Sequence, residues 1–282
     1  MNDKYLIVIA GPTASGKTAT AITIAKALRT VIISADSRQF YREIPIGTAA
    51  PTREELSEVE HYMIHNLSIE DRYDVYDYEQ DVLLLLKQLF MSYDTVVMTG
   101  GSGLFIDAVC NGLDSIPDIS EETRNRVNDL YEKGGVVALQ NELQHLDPEY
   151  YEIVDKQNPR RLQRAIEVCY QTGLPYSSFR KNNTKERDFK IIKLALLWER
   201  NELITRINKR VENMISDGLI EEARSVYHKR NLNSLNTVGY KEMFQYFDGD
   251  ISLNEAIELI KISTRQYAKR QMTWLRKNND YR

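Results

Sequence analysis

Gly11, Pro12, Thr13, Ala14, Ser15, Gly16, Lys17 and Thr18 follow the spacing G-x-x-x-x-G-K-[ST]. In such a loop the backbone turns tightly, and its N–H groups and the following helix N-terminus point at a polyphosphate. The lysine adds a movable positive charge, and the Thr18 hydroxyl can hold Mg²⁺. The pattern specifies phosphate and leaves open which compound carries it.

Two other short segments offer reactive groups. Asp36, in Ser34-Ala-Asp-Ser37, follows a buried apolar run; a carboxylate there can bind Mg²⁺, accept a proton from a nucleophile, or cap the next turn. Thr99-Gly-Gly-Ser-Gly103 follows another such run. Its glycines permit close backbone approach, and Ser102 can donate to a leaving oxygen or serve as a helix N-cap. Asp94 precedes its strand, so Thr99 stands where an ATPase would be expected to place an acid, which weakens an ATPase reading.

These groups need elements to hold them. Tyr5–Ala10 is a continuous apolar run ahead of the glycine loop and of an Ala/Ile-rich helical stretch over Thr18–Leu28. Val31–Ser34 and Thr95–Thr99 read as further buried strands, Tyr62–Leu67 as another, and Tyr78–Phe90 as a helix. Strands alternating with helices predict an α/β fold with a parallel sheet, its loops gathered at the carboxyl edge. After Gly112 the pattern turns helical over Ser120–Tyr131, Val136–Leu146 and Asn158–Thr172. Lys190–Trp198 is β-like again, and helices resume from Asn201, the last over Ala256–Arg276. This predicts a P-loop α/β core over 1–112 and 188–282, with C-terminal helices and a mainly helical insertion over 113–187.

With 282 residues, 42% of them hydrophobic and 28% charged, the composition is that of a globular protein rather than a disordered one. The apolar run near the N-terminus is too short to cross a bilayer and has no cleavage pattern behind it, so a cytoplasmic protein with no membrane contact is expected. Cys110 and Cys169 are far apart and in no C-x-x-C arrangement, which predicts reduced, packed thiols. His61 and His65 have no metal-ligand partners in view. The net charge of −4 hides a division: residues 1–159 carry −13 and residues 160–282 carry +9. A basic C-terminal half on an acidic protein is a footprint of polyanion binding, and Arg160, Arg161 and Arg164 fall on one helix face within it. The final helix similarly sets Arg265, Lys269 and Arg276 beside Tyr267 and Trp274.

At this point the chain resembles the bacterial tRNA dimethylallyltransferases, also called tRNA isopentenyltransferases. The likeness rests on Gly11–Thr18, on Ser34-Ala-Asp-Ser-Arg-Gln-Phe-Tyr41 with Ile46-Gly-Thr-Ala-Ala-Pro51, and on Thr99-Gly-Gly-Ser-Gly-Leu-Phe105. It continues through Asn158-Pro-Arg-Arg-Leu-Gln-Arg-Ala-Ile-Glu-Val168, Val238-Gly-Tyr-Lys-Glu242 and Thr264-Arg-Gln-Tyr-Ala-Lys-Arg-Gln-Met-Thr-Trp274, and so covers nearly the whole chain.

The resemblance implies transfer of a dimethylallyl group from its pyrophosphate to the exocyclic amine of the adenosine 3′ of the tRNA anticodon, by direct substitution on the allylic carbon. In that scheme Asp36 is the general base and Ser102 contacts the bridging oxygen. Lys17 and Arg206 hold the departing pyrophosphate in the cradle Gly11–Thr18, with Mg²⁺ on Thr18. The adenine is flipped into a channel. Contacts to the anticodon stem-loop are implied for Asp36, Ser37, Arg38 and Gln39, for Ser102 and Arg124, and for Arg160, Arg161, Leu162, Gln163 and Arg164. The same holds for Asn236, Thr237, Val238, Gly239, Tyr240 and Lys241. Ser102 stands where the family usually has Thr, and Asn236-Thr237 departs from the common pattern. A monomer is expected. Two rivals remain: a P-loop kinase of a nucleotide or small metabolite, binding ATP, and a non-catalytic RNA-binding regulator.

Overall fold

The computed structural model describes residues 3–180, 184–278 and 280–282. The chain divides into two compact units, one running up to Cys110 and resuming at Glu186, the other Asn111–Lys185.

In the first unit the elements run β1 (Tyr5–Ala10), α1 (Lys17–Leu28), β2 (Ile32–Ser34), α2 (Arg53–Glu58), β3 (His61–Tyr62), α3 (Val75–Leu89), β4 (Thr95–Gly100) and α4 (Gly103–Asn111). The second unit holds α5 (Glu121–Leu146), α6 (Pro148–Ile153) and α7 (Pro159–Thr172). The first unit then continues with β5 (Lys190–Ala195), α8 (Arg200–Ser216), α9 (Leu219–Val226), α10 (Tyr240–Asp248) and α11 (Leu253–Lys277). Among the described residues the strands form a five-stranded sheet in the order β3-β2-β4-β1-β5, every pairing parallel. The P-loop α/β fold expected from the alternation of elements is the one observed.

Period-two alternation explains why these strands are apolar throughout. Leu6, Val8, Ile33, Val96 and Met98 pack on one face with Val82 and Leu86 of α3 and Ile106 of α4, while Ile9, Ile32 and Val97 pack on the other with Ala21, Ile22 and Ala25 of α1. A strand covered on both faces has no polar side to show. A separate core joins Val211 of α8, Leu219 and Ala223 of α9, Tyr240 and Met243 of α10 and Ile260 of α11. The second unit builds its own core from Val127, Leu139, Leu143, Leu162, Ala165 and Ile166.

Several expectations change, and the strand expected over Lys190–Trp198 ends at Ala195. The strand expected over Tyr62–Leu67 stops after Tyr62, because Met63 and His65 take positive φ (61° and 51°) and break the pleat. From there the chain bonds to the loop after β2, with the His65 N–H donating to the Gln39 carbonyl and the Leu67 N–H to that of Phe40. The helices expected over Ser120–Tyr131 and Val136–Leu146 abut in α5, where Gly135 alone leaves helical geometry (φ 60°, ψ −157°). The last helix begins earlier than Ala256, at Leu253, since Ser252 is its N-cap and closes a capping box with Glu255 in the first turn. Cys110 and Cys169 are free and buried. No helix among the described residues is long and apolar enough to cross a membrane.

One buried ion pair locks the end of α4. Arg187 Nη2 lies 2.8 Å from Glu79 Oε1 of α3, and the same guanidinium donates to the carbonyls of Ala108 and Val109. The Glu79 side chain is only 1% exposed. Removing the cation alone leaves that carboxylate buried and unpaired. Arg187→Ala should therefore destabilise the protein by about 3–5 kcal/mol, the usual penalty for orphaning a buried charge, read as a lower midpoint in chemical denaturation; a shift within 0.5 kcal/mol, the range of about ±0.5 kcal/mol typical of surface substitutions, would contradict this role.

Candidate active site

Three loops leave the carboxyl edge of the sheet side by side. Register pairs Ala10 of β1 with Gly100 of β4, and Thr99 of β4 with Ser34 of β2, so the chain emerges at Gly11, Ala35 and Gly101 from neighbouring strands. The last two loops then meet directly. The Ala35 N–H donates to the Thr99 carbonyl at 2.7 Å, and the Ser102 N–H returns to the Ala35 carbonyl at 3.2 Å. A Cβ on Gly100 would lie 2.1 Å from that carbonyl oxygen, so only glycine permits the approach.

The contact brings the two candidate reactive groups onto adjoining loops. The Ser37 N–H donates to Ser102 Oγ at 2.9 Å, and the Ser102 hydroxyl donates to Ser37 Oγ at 3.2 Å. Asp36 Oδ1 accepts the Arg38 N–H at 3.0 Å. Gln39 ties the loop down: Oε1 accepts from the Ser34 hydroxyl and Nε2 donates to the Ala49 carbonyl. Thr99 turns its hydroxyl to the Ile9 carbonyl at 3.1 Å, so this sheet edge offers no acid from β4.

Within the glycine loop Ala14 (φ 64°) and Gly16 (φ 90°) take left-handed conformations that swing the chain into α1. Lys17 Nζ folds back onto the Pro12 carbonyl at 2.8 Å. From outside, the Trp198 indole N–H holds the Ser15 carbonyl at 2.8 Å and Arg206 Nε the Ala14 carbonyl at 2.7 Å, with the guanidinium stacked 4.2 Å over the Trp198 ring. Arg206 thus braces the loop's outer side. One helical turn on, Arg210 Nη1 donates to the Thr13 hydroxyl at 3.1 Å.

A cavity of about 1000 Å³ opens over these loops. Thr13 to Thr18 and Asp36 to Gln39 line it; Asn236, Thr237, Val238, Gly239 and Lys241 line it too, as does Arg210, whereas Arg206 does not. Ser102, bonded to Ser37, is half-buried and does not itself line the cavity. Two residues expected at the RNA are elsewhere. Tyr240 is fully buried, its hydroxyl donating to Glu222 Oε1 at 2.5 Å, and Glu222 in turn accepts the N–H groups of Ile46 and Gly47 on the cavity wall. Leu162 is fully buried in the core of the second unit, because it shares the inward phase of α7 with Ala165, Ile166 and Cys169. On the same helix Arg160, Arg161 and Arg164 are exposed, and Gln163 bonds Asn128; Arg124 is half-buried on α5.

Sequence reasoning did not place Arg210, Tyr267 or Gln271 in the site, although it set Tyr267 beside the basic residues of the last helix, and all three line the cavity. A signal existed for the last two: Ile260, Thr264, Tyr267 and Gln271 recur at helical spacing on α11 and share its cavity face.

The site moves its charged groups toward neutrality. Burial, with the neighbouring Arg210 charge, lowers the Lys17 ammonium to about 8, against the opposing pull of Asp36. Burial raises the Asp36 carboxyl, although the Arg38 N–H and the Lys17 charge work the other way. A desolvated carboxylate is a stronger base, and a desolvated ammonium waits for an anion. Among the lining side chains the Thr18 hydroxyl and the Asp36 carboxylate offer oxygens to a cation, and no cluster of three His, Cys, Asp or Glu side chains that could hold one exists among the described residues. Such donors fit a hard divalent cation completed by substrate phosphates rather than a protein cage.

A family profile described as IPP transferase matches residues 39–278. The chain is 52% identical over 275 residues to tRNA dimethylallyltransferase 1 of Phocaeicola vulgatus, covering 98% of this chain and 92% of the relative. It is 50% identical over 282 residues to tRNA dimethylallyltransferase 1 of Bacteroides fragilis, covering 100% and 94%. Among solved structures, the full-length tRNA isopentenylpyrophosphate transferase from Bacillus halodurans superposes with a TM-score of 0.71 at 35% identity, covering 99% of this chain and 88% of that one. A eukaryotic dimethylallyltransferase acting on tRNA gives a TM-score of 0.81 at 25% identity, covering 96% and 70%.

The low Lys17 value predicts proton uptake on anion binding. Near pH 8 the free protein holds Lys17 about half protonated, and a polyphosphate favours the charged form. Pyrophosphate binding measured by calorimetry in buffers of different ionisation enthalpy should show an uptake of up to about half a proton that Lys17→Ala abolishes. Affinity should weaken as pH rises above 8. Equal proton linkage in the two proteins would remove Lys17 from the cradle.

Proposed function

Because the chain belongs to the IPP transferase family, we propose that it transfers a dimethylallyl group from dimethylallyl pyrophosphate to the N6 amine of the adenosine 3′ of the anticodon in tRNA, releasing pyrophosphate. The observation that carries this reading is the cavity wall itself, where a base strengthened by burial, Asp36, adjoins a phosphate loop.

The chemistry follows from what each group can do. The adenine amine is a weak nucleophile. As its lone pair bonds to the allylic carbon, the carbon–oxygen bond breaks and its electrons leave on pyrophosphate, while Asp36 takes the N6 proton. The loop N–H groups, Lys17 and Arg210 meet the charge growing on the leaving group, where a desolvated donor is worth more than in water. The Ser102 hydroxyl, whose oxygen is held by the Ser37 N–H, can redirect its hydrogen from Ser37 Oγ to the bridging oxygen. When bound, Mg²⁺ on the Thr18 hydroxyl neutralises part of the pyrophosphate charge. Arg206 holds the Ala14 carbonyl of the loop through Nε, with its guanidinium beside Gly16, where it can also meet the departing pyrophosphate.

The anticodon loop would reach the cavity with its adenine unstacked, meeting Arg38 and Gln39 on one side and Asn236, Thr237 and Lys241 on another. The exposed arginines of α7 and Arg124 would bind backbone phosphates. The protein would act as a monomer in the cytoplasm, where its RNA substrate resides. A small-metabolite kinase leaves the basic C-terminal half without a task.

Protein, Mg²⁺, unmodified tRNA and labelled dimethylallyl pyrophosphate should suffice to label the RNA, with ATP unnecessary. ATP consumption with phosphorylation of a small acceptor, and no label in RNA, would overturn the assignment. Asp36→Asn should lower turnover about 10²–10⁴-fold, the usual contribution of a general base, with tRNA affinity within about 3-fold because the substitution keeps the side chain's shape. Replacing Arg160, Arg161 and Arg164 together with Ala should weaken tRNA binding and flatten log K against log salt by roughly 0.7–0.9 for each phosphate no longer neutralised, leaving pyrophosphate binding unchanged. An unaltered salt slope would make them a solvated face.

A further inference from the structure

Past Ala10 and Gly100 the parallel ladder between β1 and β4 ends, and the two chains diverge into the phosphate loop and the Ser102 loop. One side chain continues the ladder. Gln271 of α11, 6% exposed, accepts the Thr13 N–H on Oε1 at 2.7 Å and donates from Nε2 to the Gly101 carbonyl at 2.9 Å. Its amide stands between the loops as a peptide unit would, receiving from one backbone and giving to the other. Because an N–H faces one end and a carbonyl the other, only this orientation of the amide satisfies both.

The surroundings are shaped to this rung. A Cβ on Gly101 would come within 2.1 Å of Gln271 Nε2, so the second glycine of the pair makes room for the amide. One turn further on, the Trp274 indole N–H donates to Asp107 Oδ2 of α4 at 2.7 Å, and the same ring covers Gly103, anchoring the helix to the far side of the Ser102 loop. Arg210 holds the Thr13 hydroxyl from α8, so Thr13 is fixed through both its backbone and its side chain.

We infer that Gln271 is a positioning residue that sets the separation between the phosphate cradle and the Ser102 hydroxyl. The inference rests on the proposed transfer reaction, in which the leaving pyrophosphate spans these two loops. A donor bound at the wrong distance from Ser102 would still bind and would react more slowly.

Two substitutions of similar size separate this role from mere packing. Gln271→Met removes both hydrogen bonds. Gln271→Glu keeps the acceptor for the Thr13 N–H but, when ionised, sets a carboxylate oxygen against the Gly101 carbonyl. When protonated, its O–H donates there and rebuilds the rung. Single-turnover transfer and pyrophosphate affinity would be measured for both variants and wild type from pH 6 to 8.5. Lys17, Asp36, Arg210 and Tyr267 face the same cavity in all three proteins, and the uncharged Gln271→Met variant, compared with wild type, gives the baseline for their titration.

At pH 8 both variants should transfer at least about tenfold more slowly, as expected for breaking a buried hydrogen-bonded pair, with the KM for tRNA unchanged within twofold, that is, within about 0.4 kcal/mol. Pyrophosphate affinity should fall by a smaller factor. Toward pH 6 the Gln271→Glu ratios should recover to within about 3-fold of wild type, since the buried acid is then neutral, while those of Gln271→Met stay flat. Wild-type rates in both variants, or an equal pH-independent loss in both, would overturn the inference. If wild type itself transfers nothing, the transfer reading fails, and acid recovery of pyrophosphate affinity in Gln271→Glu alone still decides whether the rung orders the loop.

Discussion

The site depends on two backbones meeting where a side chain cannot fit. Gly100 lies against the Ala35 carbonyl so closely that a single methyl would part them. That contact lets Ser102 donate back to Ala35 and Ser37 donate to Ser102, so that the loops after β2 and β4 form one bonded structure. Asp36 is carried on that structure. Parallel strands make the arrangement possible, because all their carboxyl ends fall on one edge and successive loops must share it.

Burial then determines the electrostatic character. Lys17 and Asp36 both stand in surroundings that disfavour charge, and each opposes the other's shift only in part. Lys17, Arg38 and Arg210 outnumber the one carboxylate they surround, so the pocket is short of negative charge, and burial alone raises the Asp36 carboxyl. A substrate that brings an anion to one and sheds a proton to the other completes the balance, which is what a pyrophosphate donor and an amine acceptor supply.

Much of this could be read before folding was considered. The glycine loop, Asp36 and Ser102 are local patterns, since a strand, a turn and a reactive side chain lie within a few residues of one another. Arg210 left no such mark, and the helical spacing of Tyr267 and Gln271 could not say which distant loop they touch, since 258 residues separate Gln271 from Thr13. Tyr240 and Leu162 erred in the opposite direction. Each belongs to a run of polar, motif-like neighbours, yet helical phase turns it inward: Leu162 repeats with Ala165, Ile166 and Cys169, and Tyr240 with Met243 and Phe244. The β3 segment failed for a third reason, since positive φ at Met63 and His65 leaves no mark in apolar patterning.

The depressed Lys17 carries an evolutionary consequence. Its value in the fold, about 8, lies below the 10.5 of an unhindered lysine, so charging it opposes folding at every pH below 8, and the penalty fades only between 8 and 10.5. Near neutrality the residue works against the protein that contains it. Directed evolution for heat resistance alone, scored by survival of the unliganded fold, would therefore favour uncharged replacements there. Only a screen that also demands turnover would retain it.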